Sequence, residues 1–323
     1  MKKRKILSVL LAVVMVLALI PAAIFASDVT VPAPNDSDNS SVVVVNDDDQ
    51  ISWYKAQNTA YDKLETYWEN AVVAEPEGYS QNDADKTVTI DSAEDLVWWA
   101  KLVNDGTSFA GYTISITEDI DLSAHYWTPI CANNVTNNNS GILNNCTFNG
   151  NNHRIIGLTT QTGIRGPKAG SVTGDGQNCY YYAGFIGTSN CNITMNDLTF
   201  DRASVAITEP RSKVETNGTS SIAVILGAQS GNGNLTLNHV NVTDSNAMGM
   251  QKVSAFIGNL MGGKLIANEC EISNSKFSAY FMAAPIISYG SYKQVDINGI
   301  QLNNNTVEAV QIGEQKLAGN GVA

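Results

Sequence analysis

The sequence predicts an all-β solenoid, a parallel β-helix with one rung per about 30 residues, from three observations. Four segments align without gaps: "ITMNDLTFDRASV" from Ile193, "LTLNHVNVTDSNA" from Leu235, "LIANECEISNSKF" from Leu265 and "VDINGIQLNNNTV" from Val295. Each places an aliphatic residue first, an asparagine fourth (Asn196, Asn238, Asn268, Asn298) and apolar residues sixth, eighth and last. A second marker, "AGFIG", "AVILG", "SAFIG" and "APIIS", closes at Gly187, Gly227, Gly258 and Ser288, spaced by 40, 31 and 30 residues. The asparagines are spaced by 42, 30 and 30. Finally, the apolar parity shifts across each asparagine, so the chain must bend there, and Asn tolerates such bends. A propeller blade would need four antiparallel strands in about 40 to 45 residues, and a leucine-rich repeat a tighter period.

Taken from the start, "MKKR" and Lys5 form a charged leader to the apolar run Ile6 to Ile20, broken only by Ser8. Residues 1–26 read as a secretory signal peptide with cleavage after Ala26. The apolar run is shorter than the roughly 20 residues of a spanning helix. Its removal takes four positive charges and leaves 15 Lys and Arg against 31 Asp and Glu, a net charge of −16. An acidic exported chain repels nucleic acid and anionic membranes. Its charge leaves Ca²⁺ open as a partner without supplying a ligand set. The five cysteines, Cys131, Cys146, Cys179, Cys191 and Cys270, have no metal-ligand spacing, and Cys270 falls on a core position of the repeat.

Residues 27–50, rich in Pro, Asp, Asn and Ser, read as a disordered linker. Over 51–78, Trp53, Tyr54, Tyr61, Leu64, Tyr67, Trp68 and Val72 recur at helical steps and predict an amphipathic helix packed on the next domain. The β-helix domain is expected over 86–323. It opens with a strand, Thr87 to Ile90, and a helix capped by Ser92 and ending near Gly106, suited to cover the first rung. Trp98 and Trp99 lie on that helix. No comparable cap is visible at the far end, which predicts self-association or a partner there.

"TIDSAEDLVWWAKLVNDGTSFAGYTISITEDIDLSAHYWTPI", then "FNGNNHRIIGL", then the "AGFIG" and "AFIG" units resemble a known family. They are similar to the opening and rungs of pectate-lyase-like right-handed β-helix domains with GLUG-type repeats, over roughly Thr87 to Val310. The resemblance implies a right-handed parallel β-helix with an N-terminal helical segment and helical cap, as in exported surface and adhesin-like bacterial proteins. Ser288 departs from the family's glycine. The same scaffold carries lyases, hydrolases and non-catalytic proteins, so activity must be argued from a site.

Stacked asparagines predict an amide ladder, read here as a buried axial one with a structural role. One outward column of the repeat is Asp197, His239, Glu269 and Gly299; another is Thr199, Asn241, Glu271 and Gln301, and Asp296 belongs to a third. An enzyme would use Asp197 or Glu269 as general acid beside His239, or collect Asp197, Glu269 and Glu271 around Ca²⁺. Arg202 and Arg211 are the only arginines recognised on the rungs, both in or near loops. The columns show no facing pair of acids, Glu118, Asp119 and Asp121 read as structural, and His125 and His153 as lone histidines. No catalytic or metal-binding residue and no cofactor is assigned.

Tyrosines are the better binding hint. Tyr180, Tyr181 and Tyr182, with Tyr289 and Tyr292, could stack on sugar rings or anchor a protein partner at a rung edge. The expectation is a secreted or cell-surface, non-catalytic, adhesin-like protein whose partner is a glycan or a host or cell-surface protein. It has no nucleic-acid or, after cleavage, membrane partner. The alternative is a polysaccharide lyase or glycoside hydrolase on the same fold.

Overall fold

A computed structural model describes residues 42–45, 64–131, 141–160, 164–167, 179–206, 219–249, 251–279, 282–290 and 294–312, all in one compact unit that begins at Val42. The signal-peptide segment, most of the expected linker and residues 51–63 lie outside the described residues.

The strands form four sheets, parallel throughout except at Ser80–Asn82 and at Ile164–Pro167. One circuit illustrates the path. Lys252–Ser254 lies in a five-stranded sheet and Ile257–Met261 in a four-stranded one. Lys264–Asn268 and Glu271–Ser273 follow in the eleven-stranded sheet and Lys276–Ala279 in the six-stranded one, before Met282–Ala283 returns to the first. Equivalent residues one repeat apart are strand partners: Leu235, Leu265 and Val295; Leu226, Ile257 and Ile287; Ala247, Phe277 and Val307. Like thus stacks on like at the strand spacing of about 4.8 Å, an arrangement compatible with a β-helix.

The apolar columns meet inside the stack. Ile193, Met195, Leu198 and Phe200, with their counterparts in the next two rungs, are at most 1% exposed. Each such burial contributes roughly 1.5–3 kcal/mol for a large aliphatic or aromatic side chain. Aromatic rings run along the axis: Trp127 stacks on Phe185 at 5.6 Å, Phe185 meets Phe200 at 5.3 Å and Phe148 at 5.8 Å, and Phe148 meets Trp99 at 5.4 Å. Glycine closes the second marker because a Cβ at Gly227 would lie 2.6 Å from Gly187 O, and at Gly258 2.7 Å from Gly227 O. Ser288 occupies that place in the last described rung and donates its hydroxyl to Met282 O at 3.0 Å.

The bend expected beside each asparagine falls at the residue that follows it. Asp197, His239 and Glu269 each have φ near +51°, and Gly299 has +80°. A second left-handed column, Arg202, Asp244, Asn274 and Asn304, turns the chain out of the eleven-stranded sheet. Asp, Asn and Gly suit such turns, whereas His and Glu there cost about 1 kcal/mol or more of local strain.

At the head, the helix Ala93–Asn104 is capped by Ser92 Oγ, which accepts from Asp95 N at 3.2 Å and donates to the Asp95 carboxylate at 2.7 Å. It seats Trp99, fully buried, against Phe109 and Phe148, while Trp98 stays partly exposed. Ser80–Asn82, an exposed polar strand, pairs antiparallel with Thr87–Ile90 and protects that edge.

The helix expected over 51–78 is one turn in the described residues, Trp68–Ala71. Tyr67 is instead a bridge partner of Tyr126, and Pro76 and Gly78 lie in the turn that follows. At the tail, Val42–Val45, inside the segment read as linker, pairs in parallel with Ala309–Ile312. One of the sheets that reach the last rung is therefore extended by the chain's own strand, contrary to the expectation of an uncovered end. Among the described residues no strand pairs beyond the other tail edges, and there Ile297 is 47% and Leu302 48% exposed.

Candidate functional site

The left-handed corner gathers the main ionisable cluster of the long sheet. Because Asp197, His239 and Glu269 share one backbone conformation on successive rungs, their side chains project in series. His239 Nδ1 lies 3.0 Å from Asp197 Oδ1, and its Nε2 lies 3.0 Å from Glu269 Oε2. All three are exposed. The hydrogen bond to Glu269, then that to Asp197, raises the imidazole pKa above its ordinary value. The residues singled out as an enzyme's candidate acid and base are thus brought together, with the histidine in the middle.

A second charged group runs from the preceding rungs onto the strand of Asp197, Ile193–Asp201. Arg154 donates to Asp119 Oδ2 from Nη2 at 2.7 Å and from Nε at 3.0 Å, and reaches Asp201 at 3.4 Å. Arg154 holds the Asp119 carboxyl below its usual range. His153 stands 3.5 Å from Asp119, and Arg202 3.6 Å from the mostly buried Asp201. Thr243 Oγ1 donates to Asp201 at 3.1 Å.

Sequence reasoning missed Arg154 as a rung residue for a definable reason. Asn149 pairs with Asn196 and His153 with Leu198, so three residues (150–152) oppose the single Asp197. That bulge, with Asn151 and Asn152 both at positive φ, breaks a gapless alignment. Allowing two extra residues in "FNGNNHRIIGL" would have recovered it.

The asparagine ladder is present and longer at its head than expected. Asn196 donates to Asn149 Oδ1 at 2.9 Å, Asn238 to Asn196 at 2.8 Å and Asn268 to Asn238 at 2.8 Å. These side chains are half-buried, so the ladder lies at the sheet's margin rather than on a buried axis. Asn298 is in backbone register with Asn268 but is exposed, beyond the hydrogen-bonded series.

The tyrosines do not assemble into a described patch. Tyr182 is 8% exposed, a core-margin residue. Tyr180 and Tyr181 lie on the strand Cys179–Ala183, their side chains outside the described residues, as is Tyr292 altogether. Tyr289 is 46% exposed, with the Lys252 ammonium 4.7 Å from its ring centroid. Burial lowers the Lys252 pKa to about 8.

The remaining candidates have local partners. His125 Nδ1 is 2.6 Å from Thr66 Oγ1 and its ring meets Trp68 edge-on at 4.7 Å. Asp121 accepts from Ser123 N at 2.9 Å and Glu271 from Asn303 at 3.2 Å. Arg211 lies outside the described residues. Among the described residues no group of three His, Cys, Asp or Glu is placed to hold a metal ion. Cys131, Cys146, Cys191 and Cys270 are buried free thiols.

No protein family, curated protein or solved structure matches the chain.

Proposed function

We propose that the chain is an exported right-handed parallel β-helix of the pectate-lyase-like, GLUG-repeat kind that binds a glycan or a cell-surface protein without turning it over. One observation carries this reading: the carboxylates of the charged band are tied to neighbours. Asp197 and Glu269 hold His239, Asp119 holds Arg154, Asp201 accepts from Arg154 and Thr243, and Glu271 accepts from Asn303. Polysaccharide hydrolysis needs two acids facing each other across one bond at about 5 to 10 Å. Binding needs only a rigid polar surface with a few anchors.

An array of glycans and extracellular-matrix proteins probed with residues 27–323 tests the reading, and retention on at least one class is expected. Absence of any retention would overturn it.

One observation favours the second reading, a lyase or hydrolase: an exposed imidazole between two carboxylates is a ready general base. Incubation with pectin, alginate, chondroitin and neutral glycans, with and without Ca²⁺, separates the two. Product formation abolished by Asp197→Asn or Glu269→Gln would establish the enzyme.

A further inference from the structure

Three described asparagines precede a glycine: Asn149, Asn232 and Asn298. That dipeptide carries a chemistry of its own, because glycine has no Cβ to shield its backbone nitrogen from the amide carbon of the preceding side chain. In a folded chain the reaction needs a side-chain amide that is not held, a backbone N–H that is not committed, and room for the two to meet.

The first two pairs fail these conditions. Asn149 accepts the ladder bond from Asn196 Nδ2 at 2.9 Å, and a Cβ on Gly150 would lie 2.3 Å from Asp197 O. Asn232 is engaged with a neighbour, and a Cβ on Gly233 would lie 2.4 Å from Cys191 O. Asn298 meets all three. Its side chain is exposed and hydrogen-bonds no described residue, because the bonded ladder stops at Asn268. On the rung before, Glu269 N donates to Asn298 O at 2.7 Å, but no described strand follows to accept from Gly299 N. A Cβ on Gly299 would meet nothing closer than Glu269 Cγ at 3.4 Å. Its counterparts Asp197, His239 and Glu269 carry side chains at this corner, so Gly299 alone of the column leaves its nitrogen bare.

We infer that Asn298 is a site of spontaneous covalent modification, converting to aspartate or isoaspartate through a cyclic imide with Gly299. The Gly299 nitrogen gives up its proton and attacks Asn298 Cγ. The N–Cγ bond forms, the Cγ–Nδ2 bond breaks, and ammonia leaves with the proton. Water then opens the imide at either carbonyl, leaving a carboxylate where the amide stood. The first step needs the deprotonated nitrogen, so it quickens as pH rises. The product places a second negative charge two residues from Asp296 and on the same face of the strand Gln294–Asn298. Ageing therefore loads the tail edge, where Ile297 is 47% exposed, with charge that repels its own kind.

Incubation of residues 27–323 at mildly alkaline pH, followed by peptide mapping with mass spectrometry, tests this, with a synthetic peptide of residues 294–303 as the clock. When half of the peptide has converted, Asn298 in the folded chain should show the imide and its two acids. It should run at least about tenfold ahead of Asn149, where one or two hydrogen bonds must first break. Gly299→Asn, which keeps the left-handed corner accessible but adds a Cβ, should slow the conversion with little change in melting temperature. Asn298→Gln should abolish it. Asn298 still intact when the peptide has turned over, conversion no faster than at Asn149, or a rate indifferent to Gly299→Asn would each overturn the assignment.

Discussion

Asn268 donates its side-chain amide to Asn238 across a single rung at 2.8 Å, and Asn238 passes the same bond to Asn196. Asn238 is thus donor and acceptor at once, the only way an amide can continue a ladder.

Asn238→Leu should cost roughly 1 to 3 kcal/mol, because it strands the amide groups of both neighbours. Asn298→Leu, at an exposed position past the bonded series, should stay within about 0.5 kcal/mol of the parent. Thermal or urea melts of the two variants compare them directly, and equal losses would count against the ladder.

His239 should titrate above the ordinary histidine value of about 6.5, since both neighbours favour its charged form. Whatever stability it contributes is complete below the unfolded-state pKa and lost as pH rises through the raised folded one. Glu269→Gln should lower the folded pKa more than Asp197→Asn does, read from imidazole shifts by NMR. A value at or below 6.5 in the parent would refute the stacking.

Lys252 has the opposite sign. Its folded pKa of about 8 lies below the unfolded value of 10.5, so at this group the unfolded chain binds more protons in between, and its own contribution to stability should rise with pH across that window. Lys252→Met should flatten that rise and raise the melting temperature at neutral pH. Burial raises the Cys131, Cys146 and Cys270 thiols, which acts in the opposite direction in parent and variant alike, so the test is the difference between them: equal changes in melting temperature for the parent and Lys252→Met between pH 8 and 10 would contradict the assignment.

The exposed apolar residues of the last rung predict association. Sedimentation at increasing concentration should show self-association that Ile297→Asp and Leu302→Asp reduce, since their counterparts Ala267 and Ile272 are fully buried by a following rung. Removal of Val42–Val45 should strengthen it by baring the edge of Ala309–Ile312. A monomer unaffected by either change would rule the tail out.

What the sequence by itself determined is the repeat. Like residues recurring every 30 positions leave parallel stacking as the arrangement that buries each column, and strand registers such as Leu235 with Leu265 and Asn238 with Asn268 were legible from the gapless alignment. The cap helix was legible too, because Ser92 and the apolar face after it are local signals.

Only the tertiary structure decided the rest, since it depends on contacts between segments that share no local signal. Arg154 reaches Asp119 and Asp201 from residues 35 and 47 positions away, past a bulge no period announces. Val42–Val45 finds Ala309–Ile312 at the opposite end of the chain. Whether a carboxylate is free or tied, and whether a tyrosine such as Tyr182 is surface or core, is settled by what the neighbouring rung places within about 3 Å of it. A one-dimensional pattern names the columns but not the distances between their polar tips.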